Sequence, residues 1–395
     1  MAKVLIRAGH VRPLWAGHPW VYAQAVAKIE GQAAAGDVVD VLDPQGHWLG
    51  AGFYSPDSAL AVRILSRTQG EALDAKFFEV RLARAREFRA RSLGLPTADT
   101  TGYRLVHAEG DGLSGLIVDI YDDVAVVQLL TAGMKRREDE VLHALREVMG
   151  VRAIVEMPST EHQEREGFTV TPRAVHGEQV TELSFRERGF AYRLPFASAQ
   201  KTGFYFDQRD NRSQLEALCR GRRVLDAFCY VGSFALAAAR GGASEVVALD
   251  RSEPALQVAQ ATADRAELAG VIRFERGEIK RALPEMLQRG ERFDVVVLDP
   301  PKLAHSVRHL DRARKAYRLW NSQAFQLCNP GGILLTCSCS GALQPHDFMR
   351  TVALAAADAK QEASLFLLGQ QAADHPTPAA FDEGRYLKAA FLRVA

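Results

Sequence analysis

At 395 residues, with 47% hydrophobic and 25% charged content, the chain has the composition of a soluble globular protein and is too long for one ordinary core. Lys and Arg number 49 against 48 Asp and Glu, so the net charge of +1 announces no nucleic-acid partner by overall field, and any such contact must come from local density. The five cysteines (Cys219, Cys229, Cys328, Cys337, Cys339) form no C-x-x-C pair and are odd in number, which argues against a disulfide framework or a metal site; with no signal-like or membrane-spanning apolar run, the expectation is a cytoplasmic enzyme with reduced thiols, no metal and no membrane partner.

Taken in chain order, residues 1–72 are short apolar runs broken by glycine and proline, such as 36–43 and 48–54 around the turn Asp43-Pro44-Gln45-Gly46. They predict a small β-barrel, with Trp15, Trp20, Phe53 and Tyr54 expected in its core rather than on a stacking surface. Residues 73–190 read as a middle α+β domain. A helix is predicted over 74–92, ended by Leu95-Pro96, then a hairpin turning at Asp122-Asp123, a helix over 135–149 and a strand over 151–155. No motif in this region translates into chemistry. The helical stretch carries Arg81, Arg84, Arg86, Arg89 and Arg91, which suit a solvated face as well as phosphate contact.

From about 191 to 395 the texture changes. Apolar runs at 223–226, 245–250, 293–299 and 333–336 each stop at polar residues, with helical stretches over 233–240, 253–266 and 312–327 between them. That alternation predicts a doubly wound, mostly parallel sheet whose strand C-termini form the ligand crevice.

The chemistry-bearing residues lie at those stops. The turn Asp226-Ala227-Phe228-Cys229-Tyr230-Val231-Gly232 joins the first strand to its helix, where Gly232 permits close backbone approach. Asp250 ends the next strand and suits the two hydroxyls of a ribose, with Glu278 after the third strand as an adenine-side group. The turn is not G-x-G-x-x-G, so a nucleoside cofactor without a diphosphate fits better than a dinucleotide, and S-adenosylmethionine is the common one. Asp299-Pro300-Pro301-Lys302 holds an acid on a rigid loop able to bind the polar edge of a flat heterocycle. Cys219, Cys328 and Cys229 are read as packing residues, whereas Cys337 and Cys339 stand where a strand runs out. A thiolate adding to carbon 6 of a pyrimidine makes carbon 5 nucleophilic enough to take a methyl group, which methylation of an exocyclic nitrogen does not require. Between Lys302 and Arg318, six basic residues (Lys302, Arg308, Arg312, Arg314, Lys315, Arg318) face one acid, Asp311, and this run is expected to contact phosphate.

Gly203-Phe204-Tyr205-Phe206-Asp207-Gln208-Arg209, Asp226-Ala227-Phe228-Cys229-Tyr230, Asp299-Pro300-Pro301-Lys302 and Ser338-Cys339-Ser340 resemble the bacterial 23S rRNA cytosine-5 methyltransferases that carry an N-terminal PUA domain. Ala373-Asp374-His375-Pro376 and Tyr386-Leu387-Lys388 fit as well. The resemblance implies an α/β protein with a PUA barrel, a middle α+β domain and a C-terminal class I methyltransferase Rossmann-like domain. It also implies S-adenosylmethionine as methyl donor, 5-methylcytidine in 23S rRNA as product, and rRNA, naked or in an assembling large subunit, as partner, and it leaves a homodimer open. Carried over by position, Cys339 is the nucleophile rather than Cys337, and Asp299 contacts the cytosine edge. Gln208, Arg209, Asp226, Phe228, Tyr230, Gly232, Asp250, Arg251, Glu278 and Asp299 fall to the cofactor, with Gln208 and Arg209 closing over it. Lys302 occupies the position at which many such enzymes carry a second cysteine that assists product release, so it joins the catalytic candidates. Two competitors predict differently: an N-methyltransferase would stay active without Cys339, and a non-catalytic RNA-binding assembly factor would not bind S-adenosylmethionine.

Overall fold

The computed structural model describes residues 1–159, 166–304 and 306–395, and the chain divides into two compact units. The first comprises Met1–Gly189, Arg193–Phe206 and Ala373–Gly384. Its six-stranded sheet runs in the order Trp20–Tyr22, Leu60–Ser66, Trp48–Tyr54, Val38–Leu42, Ala2–Ile6, Val26–Glu30. The predicted turn at Asp43 forms because its carboxylate accepts the backbone N–H groups of Gln45 and His47, each at 2.8 Å. Gly52 allows the next pairing: a Cβ there would lie 1.9 Å from the Arg63 carbonyl oxygen. Val4, Ile6, Leu14, Val21, Val39, Val41, Val62 and Ile64 fill the interior.

Of the four aromatics expected in that core, Trp15 is 78% exposed and Trp20 and Tyr54 are half-buried. Trp15 ends a five-residue helix, Val11–Trp15, in which only Leu14 is buried, so its neighbour has taken the inward position. Phe53 is buried, but in the second core, with Phe77, Phe78 and Leu82.

That second core lies beneath a five-stranded sheet, Arg173–His176, Ala153–Glu156, Val124–Leu129, Leu116–Tyr121, Gly102–His107. The hairpin around Asp122-Asp123 forms as read, with Tyr121 paired to Val124. The helix Ala75–Glu87, capped by the Asp74 side chain on Phe77 N–H, runs into a π-turn, Phe88–Ser92. Its arginines mostly serve the unit itself. Arg81 lies over the Phe77 ring, Arg86 donates to the Val148 carbonyl at 2.6 Å, and Arg89 is fully buried on Asp111 and the Asp374 carbonyl. These partners replace the phosphates that the cluster could otherwise have held.

The second unit comprises Phe190–Tyr192, Asp207–Ala372 and Arg385–Ala395. Its seven strands lie in the order Ile272–Arg276, Glu245–Asp250, Arg223–Ala227, Phe293–Leu298, Cys328–Ser338, Lys388–Val394, Ala363–Gly369. The first five are mutually parallel, and Lys388–Val394 is antiparallel to both its neighbours. The parallel strands are valine- and leucine-rich because both faces are buried: Leu225, Val247, Val296 and Leu334 pack with Phe325 and Phe348 on one side, and Val224, Val246, Val295 and Leu335 are fully buried on the other. Strand order reverses between Arg223–Ala227 and Phe293–Leu298, and at such a point the flanking helices diverge to leave a crevice. Asp226 and Asp299 therefore fall on its two sides. Among the described residues no helix is long and apolar enough to cross a membrane.

Candidate active site at the strand ends

The turn after Arg223–Ala227 is built under backbone strain. Phe228 (φ 70°), Tyr230 (φ 52°) and Gly232 (φ 72°) all adopt left-handed conformations, and two of them are not glycine. Residues of this kind cost roughly 1–3 kcal/mol each and persist only where their surroundings over-determine them. Here Cys229 N–H donates to the Leu249 carbonyl (3.0 Å) and Tyr230 N–H to Asp250 Oδ2 (2.9 Å), while Gly232 N–H donates to the Cys229 carbonyl (2.8 Å). With those three N–H groups engaged, an anionic group would meet the N-terminus of the helix Ser233–Arg240 into which the turn leads. At Gly232 the fit is close, for a Cβ would stand 2.9 Å from that of Ala259.

Asp226 lies beneath this turn with 0% exposure. One oxygen accepts Ala235 N–H from the helix Ser233–Arg240 at 2.9 Å, and Oδ1 has no hydrogen-bond partner among the described residues. Burial, with the neighbouring Asp299 and Asp250 charges adding to it, pushes the carboxyl up to about 8. A carboxylate buried at such cost, with an oxygen unspent, suits a cationic ligand group.

Asp250 ends its strand with both oxygens engaged, on Tyr230 N–H and on Ser252 N–H at 2.8 Å. Each carboxylate oxygen keeps a second lone pair for ribose hydroxyls. Gly277 N–H donates to the Asp250 carbonyl at 3.0 Å, which brings the turn bearing Glu278 alongside. Glu278 and Arg251 are exposed and bond neither Asp226 nor Asp250. Gln208 and Arg209 are buried at the start of the helix Arg209–Glu216, where Gln208 accepts from Asn211 at 2.6 Å and hydrogen-bonds Cys337. They are packed parts of the unit.

The cysteine end of the site is held as firmly. Cys339 is partly exposed, whereas Cys219, Cys229, Cys328 and Cys337 are buried. Burial pushes the Cys337 thiol far above its ordinary range, with Asp299 adding to the effect, and Cys229 is likewise driven up. Neither forms a thiolate readily. The serines on either side of Cys339 are fully buried: Tyr317 OH donates to Ser338 Oγ (3.0 Å), and Ser340 Oγ accepts Ala304 N–H (3.1 Å) from the loop that follows Pro300-Pro301. Asp299 acts electrostatically on Asp226, Cys337 and Tyr317 alike, so one carboxylate reaches both ends of the site. Lys302 is half-buried on the same loop.

Lys388 has no counterpart among the candidate site residues read from the sequence. It opens the antiparallel strand Lys388–Val394, pairs in register with Ser338, and is only 3% exposed. Its Nζ donates to the carbonyls of Ser340 (2.7 Å) and Tyr386 (2.8 Å). The sequence signals were its place in Tyr386-Leu387-Lys388, which fits the family resemblance without a role attached, and its position at the head of the apolar run Ala389-Ala390-Phe391-Leu392. Among the described residues no group of three or more His, Cys, Asp or Glu side chains could hold a metal ion.

Comparison with known proteins identifies two families along the chain. A PUA-like domain family matches residues 4–67, and an S-adenosylmethionine-dependent methyltransferase family matches residues 104–392. The chain is 39% identical to the ribosomal RNA large subunit methyltransferase I of Tolumonas auensis over 395 residues, covering 99% of each chain. It is 39% identical to the protein of that name from Shewanella denitrificans over 401 residues, again covering 99% of each. In fold it is similar to a candidate S-adenosylmethionine-dependent methyltransferase from Streptococcus mutans, with a TM-score of 0.86, 18% identity and complete coverage of both chains. It is equally similar to a candidate methyltransferase solved with SAH, at 19% identity and a TM-score of 0.86.

Proposed function

The chain belongs to the ribosomal RNA large subunit methyltransferase I family, within the S-adenosylmethionine-dependent methyltransferases, and we propose that it methylates carbon 5 of a cytidine in 23S rRNA through a transient bond from Cys339. The cofactor is S-adenosylmethionine. The observation that carries the proposal is the exposure pattern of the thiols: of five, only Cys339 reaches the surface, at the end of the strand beside Phe293–Leu298, which leads into Asp299.

The residues present fit the donor. Asp226 Oδ1, buried and unpartnered, suits the donor's ammonium group; the left-handed turn through Gly232 suits its carboxylate; Asp250 suits its ribose. When bound, the donor supplies an electrophilic methyl group on a sulfonium. The chain does the rest. Cys339 Sγ bonds to carbon 6 of the cytosine, which makes carbon 5 a carbanion-like nucleophile, and Asp299 hydrogen-bonds the base edge to hold it in plane. After methyl transfer the carbon-5 proton leaves to a base, the 5,6 double bond reforms, and the Cys339 thiolate departs. The target base must leave its stack to reach this crevice.

RNA contact falls to the PUA-like barrel and to part of the basic run after Lys302. Arg314 pairs with Asp347 and Arg318 with Asp358, whereas Arg308, in the turn before the helix Leu310–Leu327, and Arg312 and Lys315, on it, are exposed and form no ion pair among the described residues. A cytoplasmic location and the division into domains 1–72, 73–190 and 191–395 belong to the same proposal.

The test is to incubate the enzyme with 23S rRNA and isotope-labelled methyl donor, then identify the labelled nucleoside by mass spectrometry. The account expects 5-methylcytidine, and Cys339→Ala to lower its rate by roughly 10³-fold or more. Label on an exocyclic or ring nitrogen, or an active Cys339→Ala, would refute it.

A further inference from the structure

We propose that Lys388 is the positioning residue that holds Cys339 as a thiolate. The inference rests on the reading of Cys339 as nucleophile. A thiolate is needed for addition to carbon 6, and a free thiol at neutral pH is mostly protonated. The other charged and titratable groups near Cys339 are acidic or neutral, apart from Lys302. Asp299 stands at the adjoining strand end, and Asp207 acts on the neighbouring Cys337. Tyr317, from the helix Leu310–Leu327, and Cys337, from the strand itself, are neutral groups held that way by burial. Lys302 lies on the loop beyond Asp299. Against these, Lys388 supplies a buried cation from the antiparallel strand, and it interacts electrostatically with Cys339.

Its geometry is fixed from two sides. The Ser340 carbonyl belongs to the residue after Cys339, and the Tyr386 carbonyl lies two residues before Lys388, just ahead of the strand that Lys388 opens. Tyr386 is in turn pinned by its hydroxyl to Asp207 at 2.7 Å. An ammonium group has three N–H bonds, two of which are spent on these carbonyls, and among the described residues no partner takes the third. A thiolate at Cys339 would take it, gaining a charge-assisted bond that the neutral thiol cannot accept as strongly. Burial brings Lys388 down to about 8, so the ammonium is charged at neutral pH and gives up its charge not far above it. The support therefore operates over the physiological range and fades as pH rises past about 8.

The experiment is alkylation of Cys339 by iodoacetamide from pH 5 to 10, followed by peptide mass spectrometry, in wild type, Lys388→Met and Lys388→Arg. Lys388→Met should move the half-point of alkylation up by about one unit or more and lower kcat at pH 7 by about tenfold, leaving KM for S-adenosylmethionine unchanged. Lys388→Arg keeps the charge, so it should keep a half-point closer to wild type. The wild-type and Lys388→Met profiles should converge above pH 9. An unchanged half-point in Lys388→Met overturns the inference. So does a loss of kcat that Lys388→Met shows equally at every pH, which is the mark of a structural role. Should Lys388→Met fail to fold, a Lys388→Arg half-point shifted up by a full unit would overturn it too. If the wild type yields no 5-methylcytidine while the half-point still follows Lys388, the functional reading fails and this one stands.

Discussion

Burying the Asp226 carboxylate with one oxygen unpartnered raises it to about 8, so the ligand-free protein holds a proton there that the unfolded chain gives up near pH 4. Stability from this group is present at low pH and is lost as pH rises through about 8, because the folded state binds more protons than the unfolded one across that interval. Asp226→Asn removes the ionisable group while keeping its shape. Thermal denaturation should therefore show the variant losing less stability than wild type between pH 5 and 8, with calorimetry showing S-adenosylmethionine binding weakened by at least about tenfold. A variant that binds the donor normally would remove Asp226 from the cofactor site. Cys337→Ala, by contrast, should cost only about 1–2 kcal/mol in urea denaturation and leave 5-methylcytidine formation in place, since that thiol is packed rather than presented. Most of these residues were legible in the sequence because each ends an apolar run with a polar side chain. The choice of Cys339 over Cys337 came from resemblance, and burial now supplies a physical reason for it. Lys388 was not legible as a site residue, since its partners Ser340 and Ser338 lie some fifty residues away and meet it only through strand pairing.

At the level of elements, the turn from Phe228 to Gly232 and the loop from Asp299 to Ala304 follow neighbouring parallel strands and flank the point where strand order reverses, which is the proposed donor site. The first holds three left-handed residues, and the space at Gly232 is filled by Ala259. Gly232→Ala should therefore destabilise the protein by about 1–3 kcal/mol and weaken donor binding, measured by urea denaturation and calorimetry. Donor binding unchanged alongside lost stability would make the turn a structural feature only. The parallel strands could be read from apolar runs that stop at acids or thiols, whereas Ala363–Gly369 and Lys388–Val394 end in no such polar stop and gave no comparable mark. The burial pattern at Ala363–Gly369 leaves Leu365, Phe366 and Leu368 exposed, which erases the usual in-out signal. Trp15 was misread for a related reason: in a five-residue helix a single buried position suffices, and Leu14 fills it.

Across the whole molecule, a net charge of +1 does not say which cations are free to meet phosphate. Arg89, Arg314 and Arg318 are all neutralised by acids within their own units, so a count of basic residues overstates the phosphate-binding capacity. Arg308, Arg312 and Lys315 remain. Replacing all three with glutamine should lower the slope of log affinity against log salt for rRNA by about 2 to 3, and an unchanged slope would place the RNA elsewhere. The central claim is tested most directly with rRNA containing 5-fluorocytidine and the methyl donor, because fluorine at carbon 5 cannot leave as a proton does and the adduct is trapped. The account predicts a denaturation-resistant protein–RNA species whose digested peptide carries one nucleotide on Cys339, and no such species from Cys339→Ala. A wild type that methylates the RNA without forming that species, or an adduct mapped to another residue, would contradict it.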